Sequence, residues 1–138
     1  MIRKILIGVD GSASAQHALE FALDLASKYA AELHIVAVAR PPEFGDEVET
    51  EAVIEDGRRH AEKVLAAVRK RLARESIAAH FESAVGQPAE RLVRYAEEHA
   101  VDHIVVGHRG HTFFERWLIG SVARQVVAYA RCAVTVVR

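Results

Sequence analysis

Cysteine is nearly absent from this sequence of 138 residues: Cys132 is the only one, so no disulfide can form within the chain. That usage suits a reducing compartment, and a cytoplasmic location is expected. Cys132 adjoins an apolar strand pattern and reads as a small core residue rather than a nucleophile. Neither sign of charge is in excess. Eighteen Lys and Arg oppose nineteen Asp and Glu, for a net charge of −1 and a pI near 6.7. No basic patch or tail stands out, so a nucleic-acid partner is not expected. Long apolar runs are also missing. The one that opens the chain, in Met1 to Asp10, is too short for a signal peptide or a membrane span, and no membrane association is expected. There is no internal repeat and no low-complexity tract. The G-x-x-x-x-G-K-[S/T] loop of P-loop ATPases is absent, as is the G-x-G-x-x-G fingerprint of NAD-binding proteins. His108 and His111 lie three apart, but no cysteine or carboxylate joins them to make up a zinc set.

What is present is a pattern of short apolar runs alternating with amphipathic stretches. Apolar residues make up 51% of the chain, enough for a packed core, and the length suits one domain over residues 1–138. Ile5 to Val9 is a nearly continuous apolar run, as in strands covered on both faces. Ala18, Leu19, Ala22, Leu25, Ala26 and Tyr29 then share one helical stripe, with Ser12 or Ser14 as its cap. Leu33 to Ala39 reads as a second strand. Arg40 to about Thr50, with Pro41-Pro42 and the acidic Glu43, Asp46, Glu47 and Glu49, reads as a surface loop. A long helix carried by Ala61, Val64, Leu65, Val68 and Leu72 follows, its first turns made uncertain by Gly57. Ala78 to Val85, where His80 and Glu82 alternate with Phe81 and Ser83, predicts an edge strand with one wetter face. Pro88 suits the first position of a third helix, with Leu92, Val93 and Ala96 inward. His103 to Val106 is a fourth strand. A fourth helix points Val122, Val126, Val127 and Ala130 inward, and Val134 to Val137 is the last strand.

The order is β-α-β-α-β-α-β-α-β. Such alternation implies an α/β fold, a doubly wound parallel five-stranded sheet with right-handed crossovers. In such sheets ligands bind beyond the carboxyl ends of the strands, where strand order reverses. Asp10 follows the first strand, Val38 and Ala39 end the second, and Gly107 ends the fourth. If the first and fourth strands are neighbours, all three ends meet in one crevice. The stretch after the fourth strand suits that position. Gly107 and Gly110 follow it closely, and Gly120-Ser121 opens the next helix. Glycines let backbone approach a ligand, and N–H groups at a helix start attract an anion. The alternative is that Gly107 and Gly110 only turn the chain and Gly120 only clears a helix contact. Asp10 has two readings as well, as a ligand group or as a cap of the first helix. Arg109 either adds charge to the site or points to solvent. Phe113, Phe114 and Trp117 form a lid or partner surface, or pack on the fold.

Taken together, these motifs resemble the universal stress protein family. Its G-x2-G-x9-G-[S/T] pattern reads here as Gly107-His108-Arg109-Gly110, nine residues, then Gly120-Ser121. Lys4 to Ser12 resembles the family's first strand and acidic turn, as does Val85-Gly86-Gln87-Pro88 before the third helix. Cys132 to Val137 is similar to its last strand, although Ala133 stands where proline is usual. The likeness spans essentially the whole chain. It implies a Rossmann- or flavodoxin-like sheet of order 3-2-1-4-5, often dimeric through the last strand (here Val134 to Val137). It also implies the ATP-binding branch, since members lacking the glycine pattern generally do not hold ATP. Carried over by position, Gly107, Gly110, Gly120 and Ser121 would contact phosphates and ribose. Asp10 would sit by the ribose and phosphates, or hold Mg²⁺ through water. Val38 would give backbone contacts to adenine. Gly8, Val9 and Val106 would line the pocket, with Arg109 and Val122 beside it.

The expected function is therefore an adenine-nucleotide-binding regulator or sensor of stress, holding ATP or else ADP or AMP. Two alternatives stand beside it. One is a slow ATP hydrolase or adenylyl-transfer enzyme in the same crevice, for which the sequence offers no clear general base. The other is a dimeric interaction module with an unused pocket.

Overall fold

The computed structural model describes residues 1–40, 47–109 and 120–138, with backbone alone for 47–50. Five strands alternate with four helices: β1 (Lys4–Val9), α1 (Ala13–Tyr29), β2 (Glu32–Ala39), α2 (Glu47–Leu72), β3 (Ala79–Val85), α3 (Pro88–Glu98), β4 (His103–Gly107), α4 (Ser121–Tyr129) and β5 (Ala133–Val137). All pairings are parallel, and the strand order is β3-β2-β1-β4-β5. The order reverses between β1, which pairs with β2 on one side, and β4 on the other. The switch point thus lies between β1 and β4, in the strand order that the family resemblance implied.

The central strands explain their composition. Ile5, Ile7 and Val9 of β1 face one side, with Leu33, Ile35 and Ala37 of β2, under α1 and α2. Leu6 of β1 and Val36 of β2 face the other side, under α3 and α4. A strand covered on both faces has no polar side, so its sequence is a run rather than an alternation. Ile5, Leu6, Ile7, Leu33, Ile35 and Ile104 are fully buried. The outer strand β3 does alternate, as an edge strand should: His80 and Glu82 are exposed beside the partly buried Ala79, Phe81 and Ser83.

The helices differ from the sequence reading in three places. On α1 the buried stripe includes Ala15 and Leu23, whereas Leu25 is partly buried and Tyr29 is 49% exposed. Tyr29 ends the helix, beyond the sheet that the stripe covers. On α4, Val127 is 53% exposed, and Ala123 and Val126 are the buried pair. With only nine residues, α4 presents one narrow face to the sheet, and Val127 falls off it. The backbone of α2 is already helical at Glu47, inside the stretch expected to be loop. Gly57 does not interrupt it. A Cβ there would lie 3.2 Å from the Cβ of Ala39, so the missing side chain lets α2 pack close on β2. Pro41, Pro42, Glu43 and Asp46 lie outside the described residues.

α1 starts at Ser12, whose Oγ accepts from Ala15 N at 3.1 Å. It ends at Ala30 in the left-handed region, at φ 52°. The thiol of Cys132 is partly buried against the core under α3 and α4, and burial pushes its pKa up. That suits a packing role rather than a nucleophile. Among the described residues no helix is long and apolar enough to cross a membrane.

Candidate functional site

A cleft opens at the carboxyl ends of β1, β2 and β4. The end of β1 contributes Gly8, Val9 and Asp10, and β2 contributes Val36, Val38 and Arg40. From β4 and the residues after it come Val106, Gly107, His108 and Arg109. The start of α4 closes one wall with Gly120, Ser121, Val122 and Ala123, while Ala15, Pro88 and Leu92 complete the lining. Ten of the eleven residues singled out in the sequence thus line one cleft. The eleventh, Gly110, lies outside the described residues, as do His111, Phe113, Phe114 and Trp117.

Each wall has a local cause. At Asp10 the chain leaves β1 through a tight turn. Asp10 Oδ1 accepts from Ser12 N at 2.9 Å, and Gly11 takes φ +83°, which a side chain would strain. Ser12, not Asp10, caps α1, so the carboxylate braces the turn that faces the cleft.

Gly107 is not in the left-handed region; among the described glycines only Gly11 and Gly86 are. Its requirement is spatial. A Cβ at Gly107 would stand 2.7 Å from Ser14 Oγ and 2.8 Å from the Ser14 backbone carbon and oxygen. The first turn of α1 therefore lies directly against the end of β4. Ser14 Oγ also accepts from Arg109 N at 3.1 Å, tying the loop after β4 to α1. The sequence suggested a turn or a ligand approach at Gly107; the clearance of α1 is a third role that it did not show. At Gly8 a Cβ would meet the Leu92 methyl Cδ1 at 2.8 Å, a side-chain tip rather than backbone.

The start of α4 differs from that of α1. Its N-cap is Gly120, extended at φ −61° and ψ 158°, and it offers no side-chain oxygen to the first turn. Gly120 N donates to His108 O at 2.7 Å, which fixes the helix start against the end of β4. His108 N in turn donates to Val137 O at 2.8 Å. The N–H groups of the first turn thus face the cleft without a capping side chain. That arrangement suits a bound anion. Arg40 and Arg109 add positive charge to the rim, and Asp10 adds one carboxylate. Arg109 Nε lies 3.5 Å from Nε2 of the buried His108.

The sequence reading missed Ala15, Val36, Arg40, Pro88, Leu92, His108 and Ala123 as lining residues. Pro88 and Leu92 come from α3, which crosses the sheet from the other side of β2. Only the sheet order tells that α3 reaches this cleft. A second groove, about 410 Å³ against about 130 Å³, runs between α1 and α2. It is walled by helix side chains such as Leu19, Val64 and Val68, and Arg71 at its edge is paired with Glu20 and Glu75. It touches the end of β1 at Val9 and the start of α1 at Ser12, whose side chain already caps that helix, but it includes no end of β2 or β4 and no part of α4.

A model of the universal stress protein family matches residues 1–138. The universal stress protein MJ0531 of Methanocaldococcus jannaschii is 34% identical over 146 residues, covering 100% of this chain and 83% of that protein. YxiE of Bacillus subtilis, also a universal stress protein, is 31% identical, with 100% of both chains covered. The solved structure of UspA from Lactobacillus plantarum superimposes with a TM-score of 0.88 at 28% identity, covering 99% of this chain and 97% of that one. Two more distant structures share the fold. One is a universal stress protein in complex with cAMP, at 22% identity and TM-score 0.66 over 99% and 97% of the chains. The other is the Archaeoglobus fulgidus protein in complex with dAMP, at 20% and 0.73 over 100% and 98%.

Proposed function

This chain belongs to the universal stress protein family, and on that premise we propose that its cleft binds an adenine nucleotide. ATP is the ligand we favour, with ADP and AMP as alternatives, and the protein serves as a sensor or regulator in a stress response. The observation that carries this reading is the start of α4. A helix capped by Gly120, with no side-chain oxygen over its first turn, opens onto the ends of three parallel strands. Polyphosphate is the chemistry such donors suit. Ser121 adds a hydroxyl and Arg109 a charge. Val38, at the end of β2, offers backbone groups to the adenine edge, with Gly8, Val9, Val106 and Val122 as apolar wall. Asp10 faces the ribose, or holds Mg²⁺ through water, since a carboxylate beside bare phosphate is repulsive. The complexes of related folds with cAMP and dAMP support a purine nucleotide as the ligand class. In this reading residues 1–138 act as one domain in the cytoplasm, paired with a second copy through β5, whose outer edge has no partner strand among the described residues.

The test is nucleotide affinity, measured by calorimetry with ATP, ADP and AMP in the presence of Mg²⁺. Gly120→Val puts a branched side chain at the helix start while leaving an extended backbone that valine tolerates. It should abolish binding in a protein that still folds. A folded Gly120→Val protein with unchanged affinity would place the ligand elsewhere and overturn the assignment.

A further inference from the structure

One polar cluster, built around a buried histidine, lies away from the cleft. Glu32 and His34 are two residues apart on β2, so they leave the same face of the sheet. His34 pairs in register with His80 of β3. His34 is only 5% exposed. Its Nδ1 lies 2.6 Å from the Tyr95 hydroxyl, and its Nε2 has no hydrogen-bond partner. Either tautomer therefore leaves a buried ring nitrogen unsatisfied, which native structures rarely do without a reason. The His80 ring stacks on His34 with centroids 4.6 Å apart, and His80 Nε2 lies 3.0 Å from Glu32 Oε1. One donor atom from each of Glu32, His34 and His80 lies within 4.8 Å of the other two.

We propose that Glu32, His34 and His80 form a binding site for a divalent transition-metal ion of the zinc class. Two imidazoles and one carboxylate are a donor set that zinc accepts, with a fourth position left for water or another ligand. Calcium and magnesium prefer all-oxygen sites, so the two imidazoles select against them. In four-coordinate zinc, donors about 2.0–2.2 Å from the ion stand about 3.3–3.6 Å apart. Closing from the present spacing takes side-chain rotations, above all of the His80 ring out of its stack on His34, because an imidazole binds a metal in its ring plane. His80 and Glu32 can make them, because their side chains are 52% and 39% exposed, which also gives the ion a path from solvent. His34 is the fixed member. With a proton on Nδ1 donated to the Tyr95 oxygen, its Nε2 lone pair is free for the metal. Metal-bound histidines are commonly oriented through their other nitrogen in this way. Tyr95 is itself held, stacked on His99 with centroids 3.8 Å apart. The site stands on different residues from the nucleotide cleft and is independent of that reading.

The experiment uses the full chain stripped of metal with a chelator, then titrated with Zn²⁺ by calorimetry. The bound metal is counted after dialysis, and Co²⁺ serves as a visible probe of four-coordinate geometry. The expected result is one Zn²⁺ per chain and a higher unfolding temperature. His80→Ala and Glu32→Gln alter partly exposed side chains, so the metal-free variants should unfold near the wild-type temperature and bind no stoichiometric Zn²⁺. Tyr95→Phe should weaken binding about 10- to 100-fold, as loss of an orienting partner does. His17→Ala, on an exposed residue of α1, should bind as wild type does. Wild-type protein that takes up no Zn²⁺ at stoichiometric concentrations would overturn the proposal. So would binding that persists unchanged in both His80→Ala and Glu32→Gln.

Discussion

Replacing Gly107 by alanine separates the architecture of the cleft from its ligand. The added methyl would stand 2.7 Å from Ser14 Oγ and 2.8 Å from the Ser14 carbonyl carbon and oxygen. Carbon atoms pack best at about 3.5–4.0 Å, so the overlap with the carbonyl carbon is about 0.7 Å or more. A side-chain tip could rotate away, but Ser14 C and O are backbone in the first turn of α1. Either α1 or the end of β4 must shift. Overpacking of this kind costs about 1–3 kcal/mol, and a backbone obstacle points to the upper half of that range. For 138 residues, an unfolding entropy of about 2.1 cal/mol/K per residue converts 2–3 kcal/mol to a fall in Tm of roughly 7–10 °C. Differential scanning calorimetry of nucleotide-free protein reads it directly. Two controls sharpen the test. Adding Ser14→Ala removes only the hydroxyl and should recover little, because both backbone atoms remain. Gly8→Ala meets the Leu92 methyls, which can turn aside, and should lower Tm by less. A Gly107→Ala protein that melts within about a degree of wild type would refute the reasoning. Gly107 would then be a glycine for the ligand's sake alone.

Three smaller changes follow from the same geometry. Ser12→Ala removes the oxygen that accepts from Ala15 N, and chemical denaturation should show a loss of about 1 kcal/mol. Ala30 ends α1 at φ 52°; Ala30→Gly relieves a left-handed alanine and should raise stability by roughly 0.5–1 kcal/mol in the same assay. Thr135→Lys places a charge on β5 and should shift a dimer to monomers in sedimentation. Because Thr135 Oγ1 also bonds His103 Nε2 at 2.7 Å, Thr135→Val is the control that loses this bond without adding charge. A Thr135→Lys protein that still sediments as a dimer would move the interface off β5.

The fold was legible because the central strands are runs. Ile5 to Val9 and Leu33 to Ala39 are apolar on both faces, which only a covered parallel sheet requires. His80 and Glu82 marked the edge for the complementary reason. The cleft was legible because strand ends and glycines sit where the chain must turn. Spacing could not show what each glycine clears. Gly107 answers to Ser14, which lies 93 positions earlier in the chain. Helix stripes were less clear, since Tyr29 outlasts the sheet beneath α1 and Val127 falls off the narrow face of α4. The cluster of Glu32, His34 and His80 escaped the sequence reading altogether. It exists only once β2 and β3 are in register and α3 brings Tyr95 over them.

The central claim, an adenine nucleotide in the cleft, is tested most directly by what the protein carries. It is to be purified without added nucleotide and denatured, and the released small molecules identified by chromatography and mass. Stoichiometric ATP, ADP or AMP is the expected result. Protein that releases none, and then binds none of the three when they are added with Mg²⁺, would contradict the account and leave the glycines to architecture alone.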